Sequence, residues 1–222
     1  MGARLCSCVR RKRSNQQFDT RLNVSIKNSQ SRDSVNPPQS PIPIALTTDR
    51  DWVPTKIECE QLRLIWSHNW AQFHTELGCD MLAALFKDDA DIMRLMNMPS
   101  TDESQWRHNT HVRLHALSLV EALEHSIELI DHDINQLHSH LAEFAVQFYP
   151  LRHEFTNGAS HWQSLGRVIQ HAIGTKIERG DFVRLESSWQ RWRAGKLWTK
   201  FVWYIVDSMY TGYVTYYSDR YM

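Results

Sequence analysis

Residues 110–131 read THVRLHALSLVEALEHSIELID, and residues 148–155 read FYPLRHEF. In the first stretch Val112, Ala116, Leu119, Val120, Leu123, Ile127 and Ile130 recur every three or four residues, which gathers them on one face of a helix. His115 falls on the same side, one turn before Leu119. A second amphipathic helix is expected through Leu137, Leu141, Phe144 and Phe148, ending near His153. Two helices, each with one inward histidine, then face a common apolar space.

Two neutral imidazoles across an apolar slot suit a flat iron porphyrin, apolar on its faces and taking axial nitrogen ligands. The stretch 115–131, HALSLVEALEHSIELID, resembles the E helix of a globin, with His115 at the distal position. LRHEF, 151–155, resembles the end of the F helix, with His153 proximal. WQSLGRVIQHAIG, 162–174, resembles the G helix. LWTKFVWYIVDSMYTGY, 197–213, resembles the H helix, with Trp198, Met209 and Gly212 at the usual mutual spacing. The likeness is nearest to invertebrate neuronal globins and covers roughly residues 55–216. It implies an all-α, globin-like helical fold holding heme b, with His153 and His115 as the iron ligands and Leu82, Met96, Leu119 and Trp162 lining the pocket. Two positions depart from the family. Met96 stands where a phenylalanine normally wedges against the porphyrin, and His115 and His153 are 38 positions apart (153 − 115), more than is usual.

The 222 residues suffice for one domain with a core and a tail. A net charge of +0 argues against a general nucleic-acid binder, and no phosphate-binding glycine loop is present. No apolar run approaches the ~18 residues of a membrane helix. The four cysteines, Cys6, Cys8, Cys59 and Cys79, form no CxxC pair, which disfavours a zinc ribbon. Without a secretory leader pattern, an intracellular setting is expected. Cys59 and Cys79 read best as buried small hydrophobes.

The chain opens MGARLCSCVRRKR. Removal of Met1 would expose Gly2 for myristoylation, and one acyl chain holds a membrane only marginally. Cys6 and Cys8 offer palmitoylation sites, and Arg10, Arg11, Lys12 and Arg13 attract anionic lipid by about 1 kcal/mol each. The departure is Cys6, where the acceptor pattern prefers Ser or Thr. These signals predict a lipid-anchored protein on the cytoplasmic face of the plasma membrane. Residues 14–54 are rich in Ser, Asn, Gln and Pro and read as a linker, so 1–54 is expected to be a disordered, lipidated extension.

The domain is expected at 55–216. Thr55 and Glu58 have capping-box spacing, with Cys59, Leu62, Ile65 and Trp66 inward on a first helix ending near Asn69 or Trp70. A second helix spans about 73–86, with Gly78 offering close approach to a crossing helix, and a third about 90–96. Ser100 or Asp102 is a candidate cap for the helix bearing His115. TNGAS, 156–160, reads as a loop, Trp162–Ile177 as a helix, and Leu197–Tyr213 as the last helix, with 217–222 a frayed tail. Residues 179–198, RGDFVRLESSWQRWRAGKLW, read as an enlarged connection or an extended helix end. Trp189, Arg191, Trp192 and Arg193 within it form either an exposed aromatic–cationic patch for a partner or a membrane or packing against the bundle.

Twelve histidines make a single one uninformative. His125 and His132 flank polar positions, and His138 and His140 fall early in the F-like segment. His153, nine residues before Trp162, matches the family's spacing, and His140 leaves too long a gap. His111 is the rival of His115, one turn earlier.

The resemblance implies that His115 either ligates iron or hydrogen-bonds O2. Ligation by both histidines gives six-coordinate iron, suited to electron transfer with an unidentified redox partner or to O2 and redox sensing more than to oxygen storage. No dedicated catalytic motif is present. The alternatives are a heme-free helical interaction module tethered to a membrane and a conventional O2-binding globin.

Overall fold

The structure, a computed structural model, describes residues 52–67, 74–96, 98, 102–148, 158–181 and 185–221. Gly2, Cys6, Cys8, the basic run Arg10–Arg13 and His153 lie outside the described residues. Regular structure among those described is entirely helical: α1 (Lys56–Ser67), α2 (His74–Asp88), α3 (Ala90–Leu95), α4 (Glu103–Trp106), α5 (Thr110–Leu129), α6 (Ile134–Phe148), α7 (Gly158–Arg179) and α8 (Ser188–Tyr221).

Local chemistry sets most of these boundaries. The Thr55 backbone N–H donates to Glu58 Oε2 at 2.8 Å and the Glu58 N–H to Thr55 Oγ1 at 3.3 Å, the reciprocal capping box that starts α1. The sequence placed one cap, Ser100 or Asp102, before the His115 helix, and the structure separates two. The Asp102 carboxylate accepts from the Ser104 N–H at 2.9 Å and starts the one-turn α4. Asn109 Oδ1 accepts from the His111 N–H at 2.9 Å and starts α5. Gly158, Ala159 and Ser160, read as loop, belong to the first turn of α7.

The last helix is longer than its expected Leu197–Tyr213 at both ends. At the front, the Ser187 N–H donates to Gln190 Oε1 at 3.0 Å and the Gln190 N–H to Ser187 Oγ at 3.1 Å, a second capping box. Ala194 then carries the buried stripe of Leu197, Trp198 and Phe201 back by one turn. At the far end Val214 and Tyr217 still pack on the core, and the Tyr217 ring meets Tyr213 at 4.7 Å. The helix therefore continues through Tyr221, across the residues expected to fray.

The most extensive helix pairings are α6 with α8, α2 with α5 and α7 with α8. Each has a glycine at its contact, where any side chain would clash. A Cβ on Gly78 of α2 would lie 2.1 Å from the Ala116 carbonyl oxygen of α5. One on Gly212 of α8 would lie 2.5 Å from the Ala142 Cβ of α6, and one on Gly166 of α7 would lie 2.7 Å from the Trp203 ring of α8. Arg107 stitches the surface beside the α2–α5 crossing, donating to Glu103 at 2.8 Å and pairing with Asp80, while Arg113 reaches Glu76 at 3.0 Å. No described helix is long and apolar enough to cross a membrane.

Candidate functional site

All seven residues assigned to the inner face of the His115 helix are buried: Val112, Ala116, Leu119, Val120, Leu123, Ile127 and Ile130. Asn109 caps this helix less than two turns ahead of His115, and Gly78 seats against Ala116, the next residue. His115 is thus held beside a close backbone crossing of α2 and α5.

His115 is half-buried and His111, one turn earlier, is exposed. Their Nε2 atoms stand 3.2 Å apart and their rings meet edge-on, with centroids 4.5 Å apart. At that distance one nitrogen donates and the other accepts. Burial, and secondarily the neighbouring His111, push the His115 imidazole below its ordinary pKa of 6.5. It is therefore held neutral, the form that can present a lone pair to a metal.

The four residues expected to wall a pocket lie in one continuous core. Leu82, Leu119 and Trp162 are fully buried and Met96 is 4% exposed. Met96 ends α3, its N–H donating to the Ile92 carbonyl at 2.9 Å, so the short α3 carries its side chain inward. Trp162 packs on Tyr210 and Tyr213 of α8, with centroids 6.4 and 5.7 Å away.

The remaining histidines sort by position. His125 and His132 are exposed. His138 is exposed and bonds the Tyr204 hydroxyl at 3.0 Å. His140 packs on His125, with centroids 4.7 Å apart. His125 is ten residues beyond His115 on α5, roughly 15 Å along the helix. His140 therefore does not stand opposite His115, in keeping with its rejection as a ligand. Its Nε2 is buried without a hydrogen-bond partner among the described residues, and burial lowers its pKa.

Sequence reasoning missed a pair between buried His161 and half-buried Asp89. Asp89 also caps α3, accepting from the Asp91 N–H at 3.2 Å, so one carboxylate fastens the α2–α3 corner to the first turns of α7. The signal was present: position 161 falls in the inward row with Leu165, Val168 and Ile169. Cys59 and Cys79 are free, buried thiols whose pKa burial raises, which matches their reading as packing residues.

The described residues thus comprise a half-buried imidazole on α5 and buried apolar side chains on α2, α5 and α7, with Met96 directly after α3. Among them no group of three or more His, Cys, Asp or Glu side chains could hold a metal ion by itself.

No family model matches the chain. No curated protein matches it either. Among solved structures the fold is similar to that of a hexacoordinated heme protein from an anhydrobiotic tardigrade, with a TM-score of 0.56 and 16% sequence identity, over 75% of this chain and 99% of that one. The fold is all-α and globin-like.

Proposed function

We propose that this chain is a six-coordinate heme-binding globin whose heme b would be held through its iron by His115 and His153. The observation that carries the reading is His115 itself: a neutral, half-buried imidazole positioned by the Gly78–Ala116 crossing, in a fold like that of a hexacoordinated heme protein. Bound heme supplies a one-electron iron couple. Leu82, Leu119, Met96 and Trp162 would line the group and keep water from it. His115 would compete with O2 or another small ligand for the iron. Competition of that kind favours electron transfer or redox sensing over oxygen storage.

In the same reading, acylation at Gly2, Cys6 and Cys8 and the charges of Arg10, Arg11, Lys12 and Arg13 hold the protein at the cytoplasmic face of the plasma membrane. What supports this is the concentration of three independent signals in thirteen residues.

Two experiments test these halves. Titrating heme into the apoprotein should give a Soret band that saturates at one equivalent, and His153→Ala should weaken uptake. No uptake by the wild type leaves the heme-free interaction module, which the exposed Trp189 and Trp192 favour. Fractionating cells that express Gly2→Ala should move the protein to the soluble fraction, and an unchanged distribution sinks the anchor.

A further inference from the structure

The front of α8 stands apart among the described residues. Over residues 188–200, SWQRWRAGKLWTK, there are four basic residues and no acidic one. Trp189 and Trp192 are 60% and 61% exposed, while Trp66, Trp106, Trp162 and Trp198 are buried. The Arg193 guanidinium lies over the Trp189 ring at 5.1 Å. Trp189, Trp192, Arg193 and Lys196 are all exposed and follow i, i+3, i+4, i+7 spacing, so they form one stripe on the outer side of the helix. Among the described residues neither Arg193 nor Lys196 pairs with a carboxylate. The other two cations are engaged: Arg191 donates to the Leu185 and Glu186 carbonyls at 3.2 and 3.1 Å, and Lys200 lies over Trp52.

Fold stability does not require this stripe, because the opposite face of the same turns, Ala194, Leu197 and Trp198, already seats the helix on the core. Two indoles one turn apart on a convex helix offer no groove for a peptide side chain. They offer amphipathic rings that can settle at a headgroup boundary, with cations alongside them.

We propose that the first turns of α8 are a membrane-contact surface for anionic phospholipid, with Trp189 and Trp192 entering the interface and Arg193 and Lys196 meeting the headgroups. This contact is separate from the acyl anchor and from the heme reading, and it would orient a tethered domain against the bilayer by α8.

The test uses the full chain prepared without acylation, with and without heme, sedimented with phosphatidylcholine vesicles with or without phosphatidylserine. The wild type should bind the phosphatidylserine vesicles more strongly, and equally with and without heme. Arg193→Gln with Lys196→Gln should weaken that binding by about fivefold for each charge removed. Trp189→Ala with Trp192→Ala should also weaken it, and the helical circular dichroism of both variants should stay at the wild-type level. Neutralising Arg10–Arg13 should produce a loss that adds to these. The proposal is overturned by wild-type binding in both patch variants, by equal binding to the uncharged vesicles, or by no binding at all. It is also overturned when the patch variants lose binding to an acidic polypeptide while keeping vesicle binding, which would assign the stripe to a protein partner.

Discussion

A methyl group on Gly78 would stand 2.1 Å from the carbonyl oxygen of Ala116 and 3.0 Å from its Cα. The neighbours are backbone atoms of another helix, so no side-chain rotation relieves the clash. The α2–α5 distance, and with it the position of His115, depends on this one absent side chain. Gly78→Ala should therefore lower stability by about 3 kcal/mol, at the upper end of the usual overpacking cost. Gly195 on α8 is the control: nothing lies within 4 Å of a Cβ there, and alanine should stabilise the helix by about 0.5–1 kcal/mol. Urea midpoints that move the same way in both variants would contradict the crossing geometry.

Asp89 has two tasks, capping α3 and pairing with buried His161, whereas Asp102 caps the one-turn α4 on the surface. Asp89→Ala should cost about 2–4 kcal/mol, the sum of a lost cap and a buried imidazole left short of its partner. Asp102→Ala should cost about 1 kcal/mol. Equal losses in denaturation experiments would mean that the His161 pairing contributes nothing.

Acid should destabilise the fold through His140. Burial, with His125 second, lowers its pKa below the ordinary 6.5, against a smaller opposing pull from Glu143. Above 6.5 the imidazole is neutral in both folded and unfolded chains and its full contribution is present. As pH falls through 6.5 the unfolded chain takes up a proton that the folded chain resists, and stability is lost until the folded-state pKa is passed. His140→Leu should make that acid slope shallower when urea midpoints are followed against pH. His115, shifted the same way, should keep some slope in place. An unchanged slope in the variant would remove His140 from the account.

Much of this was legible in the sequence because helix periodicity reports burial directly. Leu119, Leu82 and Trp162 recur on inward stripes and are fully buried, and Cys59, Leu62, Ile65 and Trp66 emerge as the inner face of α1. Gly78 was readable as a crossing point. Helix ends were less legible, since capping residues are common: Asp102 and Asn109 look alike in sequence, and only the chain path assigns one to α4 and the other to α5. The front of α8 was ambiguous because Trp and Arg serve equally in cores and on surfaces, and the Ser187–Gln190 box decides it. Pairs distant in sequence were not legible. Asp89 and His161 are 72 residues apart, and neither position names the other. His111 stood as the rival of His115, and the structure adds that the two rings are in contact.

The most direct test of the heme assignment is the visible spectrum of heme-loaded protein, ferric and dithionite-reduced, for the wild type and for His115→Leu. Ligation by both His115 and His153 predicts sharp, split α and β bands in the reduced wild type and their loss in the variant. A five-coordinate spectrum in both proteins would contradict it, leaving His115 as a residue beside the heme and not a ligand to it.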